Sequence, residues 1–263
     1  YFNQLNNSAL FDVDFSKPQA FQNEPIPRSG GIAGIISLFV FFCIYYLLFS
    51  KILYEYILLC SSLFFVGYLD DIKIKISPNL RLILMIIILI ILISILPIKI
   101  VHMDKSFLSS WLEIEIFSTV FVLLCFLFIV NGANLIDGFN GVLTINLLII
   151  NSVLLFVNLN SNHFEFSFFL TAQIIILISF LLFNFPKAKM FLGDGGSYLF
   201  GSLVALNSIV TDNLNPNISS FFLCILLSYL FFEVFFSFMR KIYQKKSPVL
   251  PDSKHLHMLS FIK

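Results

Sequence analysis

The chain has 263 residues and a net charge of +1, and 59% of its residues are hydrophobic and 12% charged. Soluble domains average about 45–50% apolar and about 25% charged residues, so these few charges cannot cover the surface of a soluble fold. The composition excludes soluble, disordered, collagen-like and disulfide-scaffold classes, and the small net charge gives no reason to expect a nucleic acid as partner. A polytopic membrane protein remains.

Apolar runs follow one another along the whole chain, each close to the roughly 17–25 residues that a spanning helix needs. The loops between them are short, without a clear repeat or a low-complexity linker. The sequence therefore predicts an all-α fold, a polytopic transmembrane helical bundle, forming one integral membrane domain over residues 1–263. The eight predicted spans are 32–49, 52–69, 82–97, 114–130, 142–158, 166–183, 196–211 and 218–239.

Basic residues are distributed unevenly between the two sets of loops that alternate across the membrane. Of the 16 lysines and arginines, all but Lys51, Lys99 and Lys105 fall in one set. The positive-inside rule places that set in the cytoplasm. The unusual polar residues lie in the same set, which favours an active site on the cytoplasmic face. A channel or carrier more often places such groups near the bilayer midplane.

Asp70 and Asp71 end the second predicted span. Two adjacent carboxylates at a helix C-terminus repel each other and oppose the helix dipole. A solvated helix end is one explanation, and Lys73 and Lys75 soften the repulsion without explaining the pair. A bound Mg²⁺ with oxygen ligands removes the difficulty, so we expect a cation here.

A polar segment from Asn131 to Gly141 closes the fourth predicted span. Its spacing puts Asn131, Asn134 and Asp137 near one helical face. Amide and carboxylate groups together bind a metal, a ribose or a base, and glycines allow a tight turn. A glycine-rich turn with local side-chain bonding is the structural alternative.

The segment from Asn184 to Ser197 precedes the seventh predicted span. Asp194 is either a helix cap or a ligand of Mg²⁺. The following helix N-terminus is predicted to present N–H groups to an anion. Lys187 and Lys189 add positive charge for phosphates, and Phe191 is suited to stacking on a base.

Two further groups lie near the end of the chain. Glu233 falls within the last apolar run, where a carboxylate is by default functional or paired, and Arg240 lies two helical turns later on roughly the same face. We expect the two to pair directly or through a phosphate. His255 and His257 alternate in a basic loop, a pattern that alone does not distinguish ligands from ordinary tail residues.

Taken together, these segments resemble the polyprenyl-phosphate N-acetylhexosamine-1-phosphate transferases over about residues 12–259. Five motifs occur in the order of that family. They are Lys17-Pro18 with Pro25 to Gly31, Asp70-Asp71, Asn131 to Gly141, Asn184 to Ser197, and Pro251 to His257. Family members usually have a helix before the first motif and one after the last, so a first and a last helix are expected to be missing here.

The resemblance implies a role for each matching residue. Asp70 and Asp71 match the catalytic pair, and Asp194 matches the magnesium-binding aspartate, with Asn134 close to the metal. His255 and His257 match a catalytic loop near the sugar and diphosphate. The positions that match the nucleotide site are Asn131, Asp137, Asn184 and Phe191. Lys189 and Arg240 complete the expected substrate-binding set on charge alone.

The activity implied is transfer of a sugar 1-phosphate from a UDP-N-acetylhexosamine to undecaprenyl phosphate, with release of UMP. Mg²⁺, or Mn²⁺ in its place, is the expected cofactor. The expected location is a bacterial plasma membrane. A second copy of the chain, forming a homodimer, is an expected partner. The loop around His255 and His257 has Met258 next and lacks a run of adjacent histidines, which favours the N-acetylglucosamine or O-antigen branch over the muramoyl-pentapeptide branch.

Two other functions remain open at this stage. A transporter or lipid-carrier flippase explains a polytopic architecture without catalysis, but it predicts polar groups at mid-membrane and internal repeats. Apart from Glu233, the sequence offers no obvious sign of either. A catalytically inactive scaffold is the other alternative, and the presence of all the expected carboxylates argues against it.

Overall fold

A computed structural model of the chain describes residues 10–12, 25–72, 74, 76–101, 103 and 106–245. Several residues of the predicted motifs and loops lie outside these ranges, namely Lys17, Pro18, Lys73, Lys75, Lys105, Pro251, His255, His257 and Met258. The described part is almost entirely α-helical, as an apolar chain in lipid must be, because a helix satisfies its own backbone hydrogen bonds. The all-α class is confirmed.

The described residues form ten helices in chain order. They are α1 (Gly30–Phe49), α2 (Tyr54–Asp71), α3 (Pro78–Ile95), α4 (Ser106–Leu112), α5 (Glu115–Ile136), α6 (Val142–Asn160), α7 (Phe164–Asn184), α8 (Gly193–Leu214), α9 (Ser220–Leu226) and α10 (Ser228–Tyr243). Before them, β1 (Phe11–Asp12) and β2 (Ile26–Pro27) form a short antiparallel pair.

Each predicted span has a helical counterpart, but not all of these helices are apolar enough to span by length and composition. In the described residues, α1, α3, α5, α6 and α7 qualify, and a sixth span results if α9 and α10, bent by 66°, count as one. The chain is thus a multi-pass membrane protein. The count of eight spans stays a prediction, because α2 and α8 do not qualify.

Helix α8 occupies the centre of the bundle and contacts α1, α2, α5 and α6. All of its 22 residues are buried except Asp194, Val210, Asn213 and Leu214. A helix surrounded by protein does not have to be apolar, because other helices rather than lipid meet its polar groups. This central position explains why α8 carries so many polar residues.

Small residues let neighbouring helices approach the start of α8. A Cβ atom at Gly67 in α2 would lie 2.6 Å from the backbone nitrogen of Gly195. A Cβ atom at Gly31 in α1 would lie 2.7 Å from the Cα atom of Gly196. Both distances are far too short for any side chain, so these glycines are required for the close packing of α1 and α2 on α8.

Buried amides link α6, α7 and α8 near the middle of the bundle. The Asn207 side-chain amide donates to Asn151 Oδ1 at 3.1 Å and to Gln173 Oε1 at 2.8 Å. All three side chains are 1% exposed or less. These residues lie at mid-membrane, where the sequence had indicated little polarity apart from Glu233. The three amides are neutral and satisfy one another.

Candidate active site

One end of the bundle gathers the C-terminus of α2 and the N-termini of α3 and α8. Ser77 caps α3 by accepting the Leu80 N–H at 3.3 Å, and Pro78 occupies the first turn, where its missing N–H costs nothing. The following turn presents Arg81 toward α8. The placement of Arg81 therefore depends on where α3 begins.

Arg81 joins two carboxylates that are far apart in sequence. Its guanidinium pairs with Asp194 and lies 3.4 Å from Asp70 Oδ2. The same group lies over the Tyr198 ring, with 5.7 Å between its Cζ atom and the ring centroid. By sequence, Arg81 is only one of the basic residues assigned to the cytoplasmic loops. No local pattern singles it out, because its partners lie on other helices.

Asp71 has different surroundings from its neighbour Asp70. Its two carboxylate oxygens accept the Asp194 N–H at 3.0 Å and the Gly195 N–H at 2.8 Å. Arg28 approaches the same carboxylate at 3.5 Å, and the side chain is 3% exposed. Two of the N–H groups at the start of α8, where an anion was expected, are thus already bonded to a carboxylate of the protein itself.

Crowded carboxylates at this end of the bundle repel one another. Burial, and secondarily the nearby Asp194, raises the pKa of Asp71 to about 7. The same two causes raise the pKa of Asp70, although Arg81 opposes the shift. Burial and then Asp194 and Asp71 raise the pKa of Asp137, which follows α5. Additional positive charge would therefore be stabilised here.

The loop before α1 closes one side of the site. The Phe191 N–H donates to the Pro27 carbonyl at 2.9 Å, and the Gly30 and Gly31 N–H groups donate back to the carbonyls of Phe191 and Leu192. These bonds bring Arg28 next to α8. Phe191 itself is partly buried.

Asn134 and Asn184 both make specific hydrogen bonds. Asn134 donates to Ser197 Oγ at 3.0 Å, and the Ser197 hydroxyl donates to the Asp194 carbonyl at 3.1 Å. Asn184 accepts the Gly141 N–H at 2.6 Å and donates to the Met190 carbonyl at 2.9 Å. Asn134 is therefore linked through Ser197 to the Asp194 backbone, and its place beside a metal stays a prediction. Asn184 holds two loops together, and its nucleotide role likewise stays a prediction.

The remaining predicted substrate residues are more dispersed. Asn131 donates to the Leu127 carbonyl of its own helix at 2.7 Å. Lys189 is exposed, and Arg240 lies partly buried in the last turn of α10. Glu233 is buried in α10 and hydrogen-bonded to Tyr229, and its pairing with Arg240 stays a prediction.

The described residues contain no cluster of three or more His, Cys, Asp or Glu side chains arranged for a metal. Mg²⁺, however, is usually held by one or two carboxylates together with substrate phosphates. Asp70 and Asp194 both pair with the Arg81 guanidinium, so these two carboxylates already share one positive charge. Two carboxylates fit Mg²⁺, which also binds substrate phosphates, better than they fit a metal that needs a complete protein cage.

Comparison with known proteins gives a consistent result. A model of glycosyl transferase family 4 matches residues 53–212, more than half of the chain. An undecaprenyl-phosphate alpha-N-acetylglucosaminyl 1-phosphate transferase of Thermotoga maritima is 33% identical over 150 residues, covering 56% of this chain and 45% of that protein. A phospho-N-acetylmuramoyl-pentapeptide-transferase of Dictyoglomus thermophilum is 32% identical over 225 residues, covering 82% and 70%.

A second muramoyl-pentapeptide transferase, from Leuconostoc mesenteroides, is 42% identical over 80 residues, which are 30% of this chain and 25% of that protein. The chain thus aligns with less than half of the length of the Thermotoga and Leuconostoc relatives. The matches include both donor branches, so they do not by themselves select a sugar.

Proposed function

Because the chain belongs to glycosyl transferase family 4, we propose that it transfers N-acetylhexosamine 1-phosphate. The donor is a UDP-sugar and the acceptor is undecaprenyl phosphate. The products are UMP and a lipid-diphosphate-linked sugar for a cell-envelope polysaccharide. The observation that carries this proposal is the convergence of Asp70, Asp194 and Arg81 at one end of a membrane bundle. Such a site suits a lipid phosphate at the membrane surface and a nucleotide that arrives from water.

The reaction is an in-line substitution at the phosphorus that carries the sugar. An oxygen of the lipid phosphate forms the new P–O bond, and the P–O bond to UMP breaks, so UMP leaves with the electron pair. Phosphoryl transfer needs mainly positioning and neutralisation of charge. We favour this direct attack over a route through a covalent aspartyl phosphate.

Asp70 is proposed to orient the lipid phosphate and accept its proton. It is the more accessible member of the pair, with 36% of its side chain exposed. Arg81 is proposed to pair with phosphate oxygens, a geometry for which a planar guanidinium is well suited. Its present partners are carboxylates, so substrate phosphates compete with these for the same donors.

Asp194, with the side chain of Asn134, is proposed to hold Mg²⁺, for which Mn²⁺ is the expected substitute. When bound, the metal neutralises charge on the diphosphate and on the leaving UMP. Asn134 is linked to Asp194 through Ser197, so the two potential ligands are held close together.

The nucleotide is proposed to lie beyond this centre, with Phe191 stacking on uracil and Asn131, Asp137 and Asn184 in the nucleotide site. Lys189 and Arg240 supply positive charge for phosphates. His255 and His257 are proposed to contact the diphosphate or the sugar. We place the whole site on the cytoplasmic face of a bacterial plasma membrane, on the basis of the biased distribution of basic residues.

The proposed donor is a small UDP-N-acetylhexosamine such as UDP-N-acetylglucosamine or a 6-deoxy relative. The motive is the loop from His255 to Met258, which lacks a run of adjacent histidines and an insertion able to hold a peptide. A single assay tests donor and activity together. Full-length protein is incubated with undecaprenyl phosphate and each UDP-sugar, including UDP-muramoyl-pentapeptide, and released UMP and lipid-linked product are measured.

UMP release with UDP-N-acetylglucosamine supports the proposal. A preference for the muramoyl-pentapeptide donor would overturn the donor assignment while keeping the reaction. Movement of a lipid-linked sugar across vesicles without any release of UMP would instead favour a flippase. The mid-membrane cluster of Asn151, Gln173 and Asn207 does not favour a flippase, because its buried amides bond to one another and not to a transported group.

A further inference from the structure

Asp70 and Asp71 are adjacent in sequence but differ in what they can reach. The Asp70 side chain is 36% exposed and pairs with Arg81, which itself is partly accessible. The Asp71 side chain is 3% exposed, and each of its oxygens already accepts a backbone N–H. A substrate phosphate has access to the first carboxylate and not to the second.

The bonds of Asp71 compensate for a missing helix cap. The first N–H groups of any helix lack partners within the helix and are usually satisfied by a side chain just before it. The residue in that position before α8 is Leu192, which makes no such bond. Asp71 supplies the two bonds from another helix, and its negative charge interacts favourably with the N-terminal end of the α8 dipole.

The backbone around the cap is shaped to admit this carboxylate. Gly193 has a φ angle of +78°, a conformation that side-chain-bearing residues seldom adopt. A Cβ atom there would lie 2.7 Å from both carboxylate oxygens of Asp71. The close contact leaves no space for any side chain at position 193.

Asp194 is the residue that this arrangement holds in place. Asp71 binds its N–H, and on the other side Ser197 binds its carbonyl. Its carboxylate is consequently directed toward Arg81 and Asp70 from a backbone fixed at both ends. Arg28 adds a further tie, because it pairs with Asp71 and belongs to the loop that hydrogen-bonds with Phe191 and Leu192.

We infer that Asp71 is a positioning residue, which caps α8 and thereby fixes the Asp194 carboxylate, whereas Asp70 is the member of the pair that contacts substrate. The assignment of Asp70 to substrate rests on the proposed function. The capping role of Asp71 does not, because it follows from hydrogen bonds within the protein. The two adjacent carboxylates therefore act through different partners.

Hydrogen–deuterium exchange of the full-length protein in lipid nanodiscs tests the capping role without any need for activity. The variants are Asp71→Asn and, as a matched control at the neighbouring position, Asp70→Asn. Loss of one charged cap bond should accelerate exchange at the start of α8 by roughly 10-fold in Asp71→Asn. Exchange in the middle of α8 should stay unchanged, and Asp70→Asn should exchange at the wild-type rate throughout.

Transfer assays on the same variants and on Asp71→Leu and Asp70→Leu separate positioning from direct contact. An asparagine at position 71 keeps one oxygen for one of the two N–H groups, so Asp71→Asn should retain roughly 10-fold more turnover than Asp71→Leu. At position 70 the charge itself is needed, and the two variants should be equally impaired. If Asp71→Leu does not fold, exchange in Asp71→Asn still decides the question.

Unchanged exchange at the start of α8 in Asp71→Asn would overturn the inference. Equal loss of turnover in Asp71→Asn and Asp71→Leu, with wild-type exchange in Asp71→Asn, would make Asp71 a substrate contact instead. Absence of transfer by the wild-type protein with every donor would refute the proposed function alone. The exchange comparison would then still support or reject the capping role.

Discussion

The two halves of α8 use polar residues in opposite ways. At its N-terminus, Asp194 is charged, 21% exposed and paired with a guanidinium that it shares with Asp70. Farther along, Asn207 is neutral, fully buried and bonded to amides on α6 and α7. One helix thus contains both a partly open charged site and a closed neutral network.

The difference between the Asp194 site and the Asn207 network shows how the bonding of a polar group distinguishes a structural role from a chemical one. Neutral amides that satisfy one another join helices in a membrane and need nothing further. Carboxylates that are crowded and only partly neutralised have raised pKa values, as Asp70 and Asp71 do, and bind additional cations or donors favourably. The first arrangement supports stability and the second supports chemistry.

The largest effect is expected from Asp194→Asn. Removal of a carboxylate proposed to hold Mg²⁺ should slow transfer roughly 100-fold or more, because several kcal/mol of barrier lowering are lost. Turnover is measured as UMP release over a range of Mg²⁺ concentrations. Asp212→Asn, near the other end of α8, is the matched control and should keep both turnover and the Mg²⁺ requirement. Near-normal turnover in Asp194→Asn would contradict the proposed site.

A smaller loss of activity is expected from Arg81→Gln. Without the guanidinium, Asp70 and Asp194 lose their shared cation, and turnover should fall by about 10- to 100-fold, within the range for one lost charged contact. Arg81→Lys keeps the charge but not the planar fork, so it should recover part of the rate. Equal turnover in the wild type, Arg81→Gln and Arg81→Lys would show that Arg81 takes no part in the reaction.

Asn207→Leu should act on stability rather than on transfer. The substitution leaves Asn151 and Gln173 without their shared partner, which should lower the free energy of unfolding by about 1–3 kcal/mol. Unfolding in denaturing detergent measures the loss, and UMP release is normalised to folded protein. A large loss of turnover at unchanged stability would show that the network takes part in function and would favour a path through the membrane.

The smallest effect is expected at the opposite end of the bundle from Asp194. Lys51 Nζ lies 2.6 Å from Glu165 Oε2, and the Lys51 and Glu165 side chains are 62% and 36% exposed. Exposed ion pairs contribute little, so Lys51→Met should lower the free energy of unfolding by less than about 1 kcal/mol. Unfolding at low and high salt checks the value, and a loss above 2 kcal/mol would contradict the expectation.

Helical content and the site motifs were accessible from sequence for a clear reason. Long apolar runs in lipid must be helical, and each predicted run has a counterpart from α1 to the bent α9–α10 pair. Asp70, Asp71 and Asp194 were recognised because their residue types are unusual beside such runs. The number of true spans was less accessible, since a central helix such as α8 need not be apolar.

Contacts between distant segments were not predictable in the same way. Arg81 looked like one more basic loop residue, and no pattern indicated which groups Asn184 bonds. In the structure Arg81 joins Asp70 to Asp194, and Asn184 ties Gly141 to Met190. Both results depend on which groups meet after the helices pack.

Apolar length and charge distribution act locally, so the amino-acid sequence is enough to predict a helical membrane protein with carboxylates beside its basic loops. The separate surroundings of Asp70 and Asp71 arise only when the helices pack. Adjacent residues near a helix end point in different directions, and here one meets Arg81 whereas the other meets the N-terminus of α8. The packing of α2 against α8 gives the two carboxylates their different partners, and that packing requires a glycine at position 67.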